Sequence, residues 1–80
     1  MDAWLEEARA RVAMAVDDEP ARYDLTPAEM DELLELARIA AHESGERVNA
    51  PLLCYLVGLA HGRHGGSLGD LVDAAVGASA

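Results

Sequence analysis

Apolar residues recur along this chain at helical spacing, and no stretch alternates as a strand would. Leu5, Ala8, Val12 and Val16 form one stripe with Trp4 at its edge, which predicts a first helix over residues 2–17. The segment DDEPARYD, residues 17–24, ends it, because its acids oppose the negative helix C-terminus and Pro20 forbids continuation. A second helix starts at TPAE: Thr26 caps, Pro27 takes the first helical position and Glu29 completes a capping box. It runs to about Glu43 and stops at Ser44-Gly45, where glycine suits the left-handed end. Met30, Leu33, Leu34, Ala37 and Ala41 make its main stripe, widened by Leu36 and Ile39.

Asn49 is the expected cap of a third helix, with Pro51 in its first turn. From Ala50 to Ala60 this helix is apolar on nearly every side, which predicts the central and most buried element. Cys54, Gly58 and Gly62 recur every four residues. Such a row lets another helix approach closely, with Ala37 and Ala41 as the facing row. Ser67 caps a fourth helix, Asp70 stands in for the capping-box glutamate, and Leu68, Leu71, Val72, Ala75 and Val76 face inward. The final GASA, residues 77–80, is expected to fray. Short connections favour antiparallel neighbours. The expected architecture is therefore all-α: a compact four-helix bundle forming one domain over residues 1–80, with helix 3 central.

Composition narrows the function. An 80-residue chain builds a single core worth only a few kcal/mol. One cysteine rules out an internal disulfide and a zinc-type cysteine cluster, and points to a reducing compartment. Acids at Asp2, Glu6 and Glu7 occupy the place of a basic signal-peptide region. The longest apolar run is far below the roughly 20 residues of a membrane span. A soluble cytoplasmic protein without membrane contact is the expectation. The net charge of −9 resides wholly in residues 1–46, which carry thirteen acids and four arginines. Residues 47–80 balance Asp70 and Asp73 against Arg47 and Arg63. An acidic chain without lysine is a poor nucleic-acid ligand. Its use of arginine in place of lysine, with abundant alanine, matches a GC-rich bacterial genome.

The densest polar stretch of the second half is HGRHGG, residues 61–66. His61 and His64 share a helix face, but zinc needs three or four protein ligands, and Cys54 lies two turns away. No metal and no cofactor is expected. The stretch GRHGGSLG has glycines, a cation and a helix start, which suit an anion, but it lacks the Walker spacing. An acidic, four-helix chain of 80 residues containing GSL resembles acyl carrier proteins at first glance. Their modified serine follows an aspartate near mid-chain, whereas Gly66 precedes Ser67 here. Ser44, Cys54 and the histidines have no spacing that pairs a nucleophile with a base, so no catalytic residue is assigned and no enzyme is expected. HGRHGG reads best as a connector in which His61, Arg63 and His64 offset the helix dipole and a glycine takes positive φ. Glu35 with Arg38, or Glu43 with Arg47 if helix 2 reached that far, read as surface pairs.

Two adjoining stretches, LLELARIAAHESGERVNAPL and LCYLVGLAHGR, together with Trp4, resemble a small, uncharacterised helical domain of GC-rich bacteria. Its pattern is an LARxxAH helix, an ER turn, an APL helix start and a VGLA.G ending. Leu36, Ala37, Arg38, Ala41 and His42 match the first motif; Glu46, Arg47, Ala50, Pro51 and Leu52 match the turn and helix start. Many relatives place proline directly after the arginine, whereas Val48 and Asn49 intervene here. Members stand alone or are appended to a molybdenum-cofactor guanylyltransferase. The resemblance implies a non-enzymatic accessory or interaction domain of molybdopterin-guanine dinucleotide biosynthesis. Its partner would be that guanylyltransferase or another maturation protein, and homo-oligomerisation stays open. The competing expectation is a small-ligand or anion-binding module using Arg47 and His42, or the His61–Ser67 turn.

Overall fold

Hydrogen bonds local in sequence set most of the helix ends. In the structure, a computed structural model describing residues 1–77, α1 spans Ala3–Ala15, a 3₁₀ turn Pro20–Tyr23, α2 Pro27–Ser44, α3 Asn49–His64 and α4 Leu68–Ala75. The Asp2 carboxylate accepts the Leu5 amide at 2.8 Å. The Thr26 hydroxyl accepts the Glu29 amide at 3.1 Å while the Glu29 carboxylate accepts the Thr26 amide at 2.8 Å, completing the expected box. Gly45 ends α2 at φ 73°, its amide donating to the Ala41 carbonyl. Asp17 plays the corresponding left-handed part after α1, at φ 56°. The expected fraying beyond Gly77 lies outside the described residues.

The start of α3 differs from expectation. Asn49 is its first helical residue; Val48 precedes it with helical backbone and no side-chain cap. The physical reason is the turn before it. The amides of Asn49 and Ala50 donate to the carbonyls of Glu46 and Arg47, so these donors need no side chain.

The fold is all-α, with α3 contacting α2 and α4 most and those two also touching. Its core is small: Leu36 of α2, Val57 of α3, and Leu68 and Val72 of α4, with Leu33, Leu53, Cys54, Leu71 and Val76 packed around them. Among the elements, α1 packs only on the 3₁₀ turn. There Ala13 is buried, its carbonyl accepts the Asp18 amide at 2.9 Å, and Arg9 pairs with Asp24. No helix of the described residues is long and apolar enough to cross a membrane.

Three expected faces turn out differently. The α1 stripe exists, but Trp4, Leu5, Val12 and Val16 are exposed, because α1 meets the 3₁₀ turn through its Arg9–Ala13 side. On α2, Leu36 and Ala40 are the buried residues, whereas Leu34 is 70 % exposed; α3 and α4 both lie toward Leu36. The Cys54–Gly58–Gly62 row does not bring a helix close, since a Cβ on Gly58 or Gly62 would meet nothing within 4 Å. Each four-residue step advances about 40° around a helix. Cys54 therefore reaches α2, while Gly58 and Gly62 turn progressively to solvent.

Candidate functional site

A helix that is apolar all round requires cover all round. α3 receives it on one side only. Val57 is buried and Leu53 and Cys54 are half-buried against α2 and α4. On the open side Leu52, Tyr55 and Leu56 are 60 %, 66 % and 59 % exposed, and Val48, just before the helix, continues the strip. A groove of about 370 Å³ runs beside it, floored by Ile39, Ala40, Leu52, Leu53, Leu56 and Val76. Glu43, Ser44 and Asn49 supply its polar margin. The Ser44 hydroxyl is already engaged, donating to the Ala40 carbonyl at 2.6 Å and accepting the Glu46 amide at 3.1 Å. Among the described residues lining this groove, only Glu43 is ionisable. Such a lining suits an apolar side chain of a partner better than a polar reaction.

A second groove, of about 310 Å³, opens between the 3₁₀ turn, the start of α2 and α3, and includes Tyr23, Glu29, Cys54, Gly58 and His61. The Cys54 thiol donates to the Leu33 carbonyl at 3.8 Å, and burial pushes its pKa up. Little thiolate therefore forms at neutral pH. His61 lies seven residues along the same helix, roughly 10 Å away along the axis. Its Nε2 donates to the Gly66 carbonyl at 3.1 Å. His61 is thus not placed as a base for the thiol.

Of the residues singled out in the sequence, His42 is exposed in the last turn of α2 and Arg47 is exposed in the turn that follows. His61, Arg63 and His64 occupy the last turn of α3, the first half-buried and the others exposed. The length of α3, about 24 Å for its 16 residues, separates the two groups. HGRHGG is a helix-to-helix connector. The Gly65 amide donates to the His61 carbonyl at 2.8 Å, Gly65 and Gly66 adopt φ of 68° and 86°, and the Ser67 hydroxyl accepts the Asp70 amide at 3.3 Å. Arg38 and Glu35 form the expected surface pair. Arg47 and Arg63 have no ion-pair partner among the described residues. No group of three or more His, Cys, Asp or Glu side chains converges among the described residues to hold a metal.

The open strip of α3 was missed as a surface, although its sequence held a signal. Residues 47–69 contain no acid, in a chain that is acidic before them. An all-round apolar helix in so small a protein has either the centre of a bundle or an external partner to explain it. No curated protein and no solved structure matches the chain. Its full length, residues 1–80, matches one family model, and the chain belongs to that family, the domain of unknown function DUF6457.

Proposed function

We propose that this is a non-enzymatic protein-interaction domain whose working surface is the open side of α3. One observation carries the reading: Leu52, Tyr55 and Leu56 leave most of their surface in water on the helix at the hub of the fold. A contiguous apolar patch of this kind marks a docking site in a soluble protein. The raised Cys54 pKa and the engaged His61 ring support binding over nucleophilic chemistry. The motifs shared with domains appended to molybdenum-cofactor guanylyltransferases supply the context. In this reading the domain is an accessory of molybdopterin-guanine dinucleotide biosynthesis, and its client is that guanylyltransferase or another maturation protein.

The test is calorimetric titration of the full chain into the guanylyltransferase of the same genome, with Leu56→Asp and Arg63→Ala alongside the wild type. The expected result is saturable binding, weakened about tenfold or more by Leu56→Asp without loss of helical circular dichroism. Binding indifferent to both Leu56→Asp and Tyr55→Ala would remove α3 as the surface. Absence of binding to any maturation protein would remove the molybdenum context. Binding of a guanine nucleotide that vanishes in Arg63→Ala would replace the reading with the anion-binding one.

A further inference from the structure

We propose that the open side of α3 is covered by helix α1 of a second copy, in a reciprocal dimer; this rests on the reading of α3 as a docking face. Two strips of exposed apolar side chains stand out among the described residues. One is the α3 strip of Val48, Leu52, Tyr55 and Leu56. The other is the α1 stripe, where Trp4 is 71 % exposed and Leu5, Val12 and Val16 follow it on one side of the helix. The Arg9–Ala13 side holds α1 to the 3₁₀ turn, so the stripe stays free while the helix stays anchored.

The two surfaces fit each other in length and area, and no net charge on α1 opposes the contact. α1 has 13 residues and α3 has 16, so they run about 20 and 24 Å. α1 carries Glu6 and Glu7 against Arg9 and Arg11 and is close to neutral, and none of its charges interrupts the Trp4–Val16 stripe. Residues 47–69, which include all of α3, contain no acid and carry Arg47 and Arg63 near its two ends, both without an ion-pair partner among the described residues. The −9 of each copy lies almost wholly in residues 16–46, so neither the near-neutral α1 nor the acid-free α3 brings like-charge repulsion to the contact.

Eight side chains in the two surfaces each leave on the order of 100 Å² in water, or about 800 Å² per copy, which is the usual contribution of one partner to a stable interface. Both surfaces close only if the exchange is mutual. A two-fold arrangement, with each α1 on the other copy's α3, leaves no apolar face to propagate a filament.

The experiment is sedimentation of the full chain across a hundredfold dilution, with Trp4 fluorescence recorded on the same samples. The expected species has twice the 8.5 kDa chain mass, and its blue-shifted Trp4 emission moves red on dilution. Trp4→Asp and Leu56→Asp should each weaken self-association by about tenfold or more while keeping helical circular dichroism. Their equimolar mixture should regain part of it, because one α1–α3 contact is intact in the mixed dimer. Trp4→Ser, in the exposed first turn, serves if either aspartate variant fails to fold. A wild-type monomer at every concentration overturns the proposal, as does a dimer that ignores Trp4→Asp. Blue emission independent of dilution would mean that α1 closes on its own chain, which also overturns it. A monomer that still binds a maturation protein through Leu56 defeats this inference alone. Indifference of both self-association and client binding to Leu56→Asp defeats the α3 reading as well.

Discussion

Leu36→Ala tests which side of α2 builds the core. Leu36 is fully buried among Val57, Leu68 and Val72, so its side chain joins three helices. Truncation removes three carbon groups, about 2.4 kcal/mol of transfer free energy at roughly 0.8 kcal/mol each, and adds a cavity term. Leu33, Leu53 and Leu71 are only half-buried and can relax into part of the space, which holds the expected loss near 3 kcal/mol, within the 2–5 kcal/mol usual for such changes. A domain of this size has about 4–12 kcal/mol in total. The variant should therefore melt about 12–24 °C lower. Leu34→Ala, two residues away and largely exposed, should change stability by no more than about 0.5 kcal/mol. Urea denaturation followed at the helical circular dichroism minimum measures both, at one protein concentration so that association does not enter the comparison. Equal losses, or a larger one at Leu34, would refute the packing of α2 described above.

Thr26→Ala removes one half of the capping box and should cost about 1 kcal/mol in the same assay; an unchanged midpoint would mean that the box contributes nothing. Gly66→Val forces a β-branched residue to φ 86° and should cost about 1 kcal/mol or more, with Gly62→Ala, whose added Cβ meets nothing within 4 Å, as a control free of positive φ. Tyr23 donates to Asp18 at 2.8 Å; this bond, the Glu19 amide and Arg22 hold the Asp18 carboxyl below the usual aspartate range, and the same bond raises the Tyr23 phenol. A depressed folded pKa contributes stability above the ordinary aspartate value and loses it as pH falls through the folded value; the raised phenol contributes below the ordinary tyrosine value and loses it as pH rises through its own. A carboxyl NMR titration should find Asp18 low in the wild type and closer to ordinary in Tyr23→Phe, and no difference between them would refute the bond.

What could be read from the residues alone was what closes within a few positions. Thr26 with Glu29, Gly45 after α2, Ser67 with Asp70, and the whole HGRHGG connector have partners no more than five residues apart, so local chemistry determines them. Asn49 failed as a cap because the carbonyls of Glu46 and Arg47 took its role, a turn geometry that propensity does not encode. The helix faces failed for a different reason. A stripe such as Leu5–Ala8–Val12–Val16 states that one side of a helix is apolar, but not what covers it. The small-residue row failed because spacing by four drifts around the helix, carrying Gly62 out of the contact that Cys54 makes.

The same ambiguity bears on the candidate site. An apolar α3 is equally explained by a bundle that surrounds it and by a partner that covers half of it, and the two explanations predict different fates for α1. If α1 completed a bundle, its stripe and the α3 strip would disappear together within one chain. Instead α1 packs on the 3₁₀ turn through the side bearing Arg9, and both surfaces remain. Exposed apolar area has a free-energy cost only while it stays exposed, so a pair of leftover surfaces matched in length and area favours association over an isolated fold. The uneven charge then has a physical use. With the −9 confined to residues 1–46 and both α1 and α3 close to neutral, repulsion between acidic bodies disfavours random encounters while the two apolar faces stay open to each other.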